Sequence, residues 1–153
     1  MRIALASDHA AVAERQALAE ACAKAGHEVA DLGCAPGASV DYPDLAVRVA
    51  HAVANGDAER GILLCGTGIG VSIAANKVPG VRAALVHDEF TAEMSRRHND
   101  ANVLCMGARL LSVHAMQRLV ERWLATPFEG GRHAGRVDKL RALDGGAGGC
   151  CGG

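Results

Sequence analysis

Aromatic side chains are scarce in this sequence. Of its 153 residues only 3% are aromatic, whereas 50% are hydrophobic. A core must therefore be built mainly from Ala, Val, Leu and Ile, and such small-residue packing suits layers of helices on a sheet. The length fits one domain that is large enough to bury a core of its own.

Long apolar runs and an excess of one charge are also missing. No run approaches the roughly 20 residues that a membrane-spanning helix needs. Lys and Arg number 16 and Asp and Glu 17, with the two signs interspersed. This balance excludes an extended surface for nucleic acid or for an anionic membrane. The first residues, Met1 to Asp8, enter a strand directly without a signal peptide, so we expect a cytoplasmic protein.

The cysteines lack the spacings of metal or disulfide frameworks. There is no CxxC pair and no ordered pairing of Cys with His, so neither a zinc site nor a disulfide scaffold is predicted. Residues 144–153 are rich in Gly and contain Cys150-Cys151, and they cannot bury enough apolar surface to order themselves. We therefore predict a folded domain over residues 1–143 and a disordered tail over residues 144–153.

Short apolar strands alternate with helical segments along the chain. This alternation predicts an α/β fold, a single doubly wound, Rossmann-like domain with a five-stranded parallel sheet and helices on both faces. In the common strand order 2-1-3-4-5, ligands bind at the carboxyl ends of the first and third strands, where the connections reverse direction. The strands are predicted at residues 2–7, 27–32, 61–65, 82–86 and 103–106, and the helices at 12–25, 41–54, 71–77, 89–97, 112–124 and 135–143.

The stretch from Ile62 to Gly70 carries the strongest chemical signal. A strand runs into Cys65 and then into three alternating glycines that precede a short helix. Such glycines let backbone N–H groups turn toward one point, and a helix N-terminus adds positive partial charge. The pattern predicts an anion site with Cys65 as a nucleophile or general base. Alternatively, the glycines serve only close packing and Cys65 is inert, since GxGxG does not satisfy the dinucleotide fingerprint.

Two other polar pairs are candidates for the same site. Asp8 and His9 end the first strand at the expected switch point, although a helix cap beside a surface histidine would look the same. Arg132 and Arg136 are four residues apart and could clamp a phosphate from one helix face. Solvated surface charge is the competing interpretation of the two arginines.

A run of polar residues from Arg96 to Asn102 joins a helix to the fifth strand. A cationic helix end followed by a polar loop would explain the two arginines at its start. That interpretation does not explain the imidazole and amide groups after them. His98 is therefore a candidate general acid or base.

Five motifs together resemble one enzyme family. They are Ala6-Ser7-Asp8-His9-Ala10, Asp31-Leu32-Gly33, Asp41-Tyr42-Pro43, Cys65 to Gly70 followed by Ser72 to Lys77, and His98 to Leu104 with Gly107-Ala108-Arg109. With these motifs the sequence is similar to ribose-5-phosphate isomerase type B, a family that also includes allose-6-phosphate isomerase and the galactose-6-phosphate isomerase subunits. The similarity runs from residue 1 to about residue 143, with the motifs in the same order.

The resemblance implies an aldose–ketose isomerase that uses no metal or cofactor and works through an enediolate. Cys65 falls at the family's general base, and His98 at the group that opens the sugar ring, with Asp8 and Thr67 nearby. One branch of the family uses a glutamate just after the glycine loop, and Val71 at that position implies the cysteine branch. The amides that would hold the enediolate oxygen belong to Gly66, Thr67, Gly68, Ile69 and Gly70.

Substrate contacts and a partner also follow from the resemblance. Tyr42 and Asn99 fall at sugar contacts, and Arg109 falls at another binding position. In this family a second copy of the chain completes the site, which implies a homodimer with shared active sites, alone or paired into a tetramer. The phosphate ligands fall at His9, Arg132 and Arg136.

The expected reaction is the interconversion of D-ribose 5-phosphate and D-ribulose 5-phosphate in the pentose phosphate pathway. Allose 6-phosphate or another hexose 6-phosphate is the alternative substrate within the family. The length of the pocket would decide between the pentose and the hexose. From a different class, a non-catalytic flavodoxin-like module would bind a nucleotide or phosphate without needing Cys65. That module would leave Cys65, His98 and Asp8 unexplained together.

Overall fold

A computed structural model describes residues 1–35, 37–38 and 40–144 of the chain. The predicted disordered tail, with Cys150 and Cys151, lies outside these residues except for Asp144 at the end of the last helix. The boundary between domain and tail therefore stays a prediction. Within the described residues, no helix is long and apolar enough to cross a membrane.

Strands and helices alternate in the predicted order, with bounds that shift by at most two residues. The strands are β1 (Arg2–Ser7), β2 (Glu28–Asp31), β3 (Arg60–Cys65), β4 (Ala83–Leu85) and β5 (Val103–Gly107). The α-helices are α1 (Val12–Lys24), α2 (Tyr42–Ala54), α3 (Ile69–Ala75), α4 (Glu89–Asn99), α5 (Val113–Ala125) and α6 (Ala134–Leu143). Two 3₁₀ turns, His9–Ala11 and Gly131–His133, precede α1 and α6.

The five strands form one parallel sheet in the order β2-β1-β3-β5-β4. This confirms the α/β fold class, but the predicted order 2-1-3-4-5 is wrong at one edge, because β5 lies beside β3. Burial explains the difference. Every residue of β5 is buried, which suits a strand with neighbours on both sides, whereas the short β4 is only partly buried and suits the edge. Strand β1 still lies next to β3, so the predicted switch point is retained.

A hydrophobic layer covers each face of the sheet. On one face α2 and α3 pack on strand residues that include Leu63 and Cys65. On the other face α1, α4 and α5 pack around Trp123, the one aromatic side chain of the described core. Ala, Val, Leu and Ile supply most of the remaining contacts, as the composition predicts. The helices leave an opening at the carboxyl ends of β1 and β3, where the polar loops lie.

Candidate active site

An open cavity of about 490 Å³ lies at the carboxyl ends of β1 and β3. The parallel pairing of the two strands, with Ser7 beside Leu64, brings the loops that follow them together. The cavity therefore lies at the switch point that the sequence predicts. Its lining residues are Asp8, His9, Ala10, Tyr42, Cys65, Gly66, Thr67, Ile69, Gly70, Ile73 and Arg109.

Cys65 ends β3 at the lip of this cavity and is almost fully buried. The amide of Gly68 donates a hydrogen bond to its Sγ at 3.1 Å. This hydrogen bond fixes the sulfur beside the cavity. Gly68 has a φ of +79°, and a Cβ there would lie 2.8 Å from the backbone of Met106. Only glycine therefore allows the loop to present this amide to the sulfur.

Several other amides of the loop are available to a ligand. The amide of Ile69 donates to the Thr67 hydroxyl at 3.3 Å. In contrast, the amides of Gly66, Thr67 and Gly70 donate to no acceptor within the described part of the chain. All three residues line the cavity. Unpaired backbone donors beside a cavity are the groups that stabilise an oxyanion.

Two large side chains approach the loop because its glycines lack a Cβ. A Cβ on Gly66 would lie 3.1 Å from Nε of Arg109, and one on Gly70 would lie 2.6 Å from the ring of Tyr42. The amide of Arg109 also donates to the carbonyl of Gly66 at 3.0 Å. The cavity therefore has a guanidinium and a phenol in its walls, and both groups belong to predicted site residues.

Asp8 and His9 lie where β1 ends. The Oδ1 atom of Asp8 accepts a hydrogen bond from the amide of Ala10 at 2.9 Å, so Asp8 caps the 3₁₀ turn as the alternative interpretation predicts. The same carboxylate is nearly buried and lines the cavity with Cys65. His9 is exposed beside it. Asp8 can therefore cap the turn and also take part in a site in the cavity.

The remaining predicted residues lie away from this cavity. Helix α4 runs back to the amino end of β5, so its last turn, with His98 and Asn99, lies at that end of the sheet. Cys65 instead pairs with Gly107 at the carboxyl end of β5. The length of β5 separates the two ends by roughly 13 Å. One chain therefore holds the predicted residues in two groups. The first group lines the cavity around Cys65. The second group lies outside the cavity and consists of His98, Asn99, Arg132 and Arg136.

The second group contains a residue that the sequence did not single out, His133. Its imidazole stacks on that of His98, with ring centroids 4.1 Å apart and planes at 10°. Nε of Arg132 donates to Nε2 of His133 at 3.4 Å. Burial lowers the pKa of His133, and the charges of His98 and Arg132 act in the same direction. The only signal in the sequence that could have pointed to His133 was its position between two predicted phosphate ligands, Arg132 and Arg136.

His98, His133 and Glu129 offer donor atoms within 4.8 Å of one another. A metal ion lies close to the plane of each imidazole that ligates it, and two stacked, nearly parallel rings cannot both contain one ion. The carboxylate of Glu129 is already paired with Arg97 at 2.8 Å. This arrangement does not fit a metal site.

Much of the polar run from Arg96 to Asn102 supports the fold. Arg96 is buried, lies over the ring of Trp123 and donates to the carbonyl of Ala101 at 2.6 Å. The carboxylate of Asp100 accepts hydrogen bonds from Arg96 and Arg82, both at 2.9 Å. The interpretation of this run as a cationic helix end followed by a polar loop is therefore confirmed for Arg96. It does not account for the imidazole of His98.

A family model described as Ribose/Galactose Isomerase matches residues 3–140. The chain belongs to this family. It is 41% identical over 143 residues to ribose-5-phosphate isomerase B of Escherichia coli, a match that covers 94% of this chain and 96% of the relative. It is 40% identical over 141 residues to D-erythrulose-4-phosphate isomerase of Pectobacterium atrosepticum, with 92% and 93% covered. The structure of ribose-5-phosphate isomerase B from Clostridium thermocellum matches with a TM-score of 0.92 and 46% identity, over 94% of this chain and 97% of that one.

This member of the ribose/galactose isomerase family is a sugar-phosphate aldose–ketose isomerase. The resemblance that the motifs carry is thereby confirmed. The flavodoxin-like binding module is set aside, because the family match spans nearly the whole described domain.

Gly107→Ala tests whether β5 holds the loop after Cys65 in place. A Cβ on Gly107 would lie 2.7 Å from the backbone carbonyl of Thr67, which cannot rotate away. We expect turnover by this isomerase to fall by about tenfold to a hundredfold, because the loop must move. The measurement is kcat on the purified variant, with folding checked by circular dichroism.

Gly61→Ala is the matched control for Gly107→Ala. A Cβ at Gly61, on β3, would lie 2.8 Å from Cγ1 of Val49 in the core, away from the loop. It should lower the free energy of unfolding by about 1–3 kcal/mol and leave kcat nearly unchanged. Equal kcat losses in the two variants would contradict a specific role for Gly107.

Proposed function

We propose that this isomerase interconverts D-ribose 5-phosphate and D-ribulose 5-phosphate with Cys65 as the general base. The observation that carries the proposal is the hydrogen bond from Gly68 to the Cys65 sulfur, beside the unpaired amides of the loop. A base and an oxyanion site are the two elements that enediolate chemistry needs. Val71 is buried in the core, so no carboxylate occupies the position of the alternative base.

The substrate is a cyclic aldose, so the ring must open first. The C1–O4 bond breaks, O4 takes a proton from His98, and the hydroxyl on C1 gives up its proton. We assign that second proton to Asp8, with the Thr67 hydroxyl nearby, because both residues line the cavity of Cys65. The product of this step is the open-chain aldehyde.

Isomerisation then moves one proton between neighbouring carbons. The Cys65 thiolate takes the proton from C2, and the electron pair of that bond forms the C1–C2 double bond while negative charge collects on O1. The unpaired amides of Gly66, Thr67 and Gly70 stabilise that charge, whereas those of Gly68 and Ile69 already donate to Cys65 and Thr67. Each such donor typically contributes about 3–4 kcal/mol in the transition state. Cys65 returns its proton to C1, and a proton passes from O2 to O1, which leaves the ketose.

Binding of the phosphorylated sugar uses side chains from both groups of residues. Tyr42 and Asn99 contact the sugar hydroxyls. Arg109 binds the substrate beside the glycine loop, where its guanidinium already lies next to Gly66. Arg132 and Arg136 are exposed, and their guanidinium groups can each pair with a phosphate group. With His9 they complete the phosphate site.

A second copy of the chain is needed to bring the two groups together. His98 and the C-terminal arginines lie at the opposite end of β5 from Cys65 in one chain. The rim of the cavity exposes Ile69 and Ile73, which are 51% and 57% accessible, and apolar side chains of this kind are typical of a surface that a partner covers. We therefore propose a homodimer with two shared sites, alone or paired into a tetramer.

The identity of the sugar is tested by comparing substrates of different length. Relatives of nearly equal identity carry the names of a pentose and a tetrose phosphate isomerase, so similarity does not choose between them. We expect the highest kcat/KM with D-ribose 5-phosphate, against D-allose 6-phosphate and D-erythrose 4-phosphate. Preference for the hexose or the tetrose would retain the mechanism and replace the proposed substrate. If D-ribose 5-phosphate is the preferred substrate, we also predict that the enzyme acts in the cytoplasm, in the pentose phosphate pathway.

Cys65→Ala tests the general base. Without the sulfur, kcat should fall by about a hundredfold to ten-thousandfold, while KM changes little because the base acts only in the chemical step. The control is Cys22→Ala, which removes a buried cysteine from the other layer of the core and should retain turnover. Full turnover by Cys65→Ala would remove Cys65 from the mechanism.

Mixing two inactive variants tests the shared site. Cys65→Ala and His98→Asn are co-expressed with different tags. In a mixed dimer one site carries both substitutions and the other carries neither, so random pairing should restore about a quarter of wild-type activity. Activity that stays at the level of the two parent variants would place both residues in a site formed by one chain.

A further inference from the structure

We propose that His133 is a positioning residue that holds the imidazole of His98 in the orientation for ring opening. The inference rests on the proposed function, since it concerns the residue to which ring opening is assigned. His133 lies in the 3₁₀ turn before α6, whereas His98 lies in the last turn of α4. Their contact therefore joins two elements that are distant in the sequence.

Burial makes His133 a fixed surface for its neighbour. Its side chain is 3% exposed, whereas His98 is only partly buried. A partly exposed imidazole at a helix end can occupy several rotamers. Parallel stacking at 4.1 Å holds the plane of the His98 ring and leaves its edge, with both nitrogens, free to point at a ligand.

One hydrogen bond and its own burial fix His133 in place. Nε of Arg132 donates to Nε2 of His133, which requires that nitrogen to carry a lone pair. Glu129 lies next to both rings and is tied to Arg97, whose Nη2 is 2.8 Å from the carboxylate. Burial lowers the pKa of His133, in agreement with a neutral ring at neutral pH. His133 thus serves as a neutral, immobile face and leaves proton transfer to His98.

Three substitutions separate stacking from hydrogen bonding. His133→Ala and His133→Asn remove the ring, and Asn keeps a polar group for Arg132. His133→Phe keeps an aromatic face without nitrogen. We expect kcat on D-ribose 5-phosphate to fall by about tenfold to a hundredfold in the first two variants and to stay within about threefold of wild type in His133→Phe.

Two further readouts separate positioning from a general loss of structure. D-erythrose 4-phosphate cannot form a furanose ring because its O4 carries the phosphate, so any turnover of it should suffer much less from His133→Ala. In proton NMR we expect the stacked ring to shift the ring protons of His98 upfield. This shift should vanish in His133→Ala and persist in His133→Phe. His114→Ala, which removes an exposed histidine at the start of α5, should change none of these values.

Full turnover of D-ribose 5-phosphate by His133→Ala, with unchanged His98 resonances, would overturn the positioning role. Loss of turnover in His133→Phe equal to that in His133→Ala, with both variants folded, would overturn it as well. Failure of the proposed function has a different signature, because Cys65→Ala or His98→Asn would then retain full turnover whatever the His133 variants do.

Discussion

The pairing of β5 with β3 is the constraint on which the candidate active site depends. Hydrogen bonding between the segments that contain β3 and β5 continues past the end of β5. The amide of Ala108 donates to the carbonyl of Cys65, and the amide of Arg109 donates to the carbonyl of Gly66. Gly107 lies so close to the backbone of Thr67 that no Cβ fits between them. The loop after Cys65 is therefore shaped by the neighbouring strand as well as by its own glycines. That shape puts the amide of Gly68 against the sulfur and Arg109 beside Gly66.

The same parallel sheet explains why a single chain cannot assemble every predicted site residue. In a βαβ unit the helix runs back toward the amino ends of the strands. Residues after a strand and residues at the end of the following helix therefore lie at opposite ends of the sheet. Cys65 and Asp8 are of the first kind, and His98 is of the second. A site that needs both kinds must draw one of them from another copy of the chain, which gives the proposed dimer a geometric reason.

One short segment serves both the fold and the proposed chemistry. In the run that joins α4 to β5, Arg96 donates a partly buried hydrogen bond to Asp100 and a buried one to the carbonyl of Ala101, and these bonds fix the end of the helix. His98, two residues from both Arg96 and Asp100, turns away from those contacts and stacks on His133. Substitutions in this run therefore have different consequences at neighbouring positions. Changes at Arg96 or Asp100 disturb folding, whereas changes at His98 are expected to disturb the reaction.

The sequence by itself determined the alternation of strands and helices, the fold class and the glycine loop at Cys65, because each depends on local periodicity or on residues adjacent in the chain. Its motifs also determined the family. Strand order was decided only in the tertiary structure, since the edge position of β4 depends on how completely each strand is buried by the others. The stack of His98 on His133 was decided there too, because its two residues are 35 positions apart and no periodicity links them. Local patterns specify elements, whereas contacts between distant elements depend on how the whole sheet and its covering helices pack.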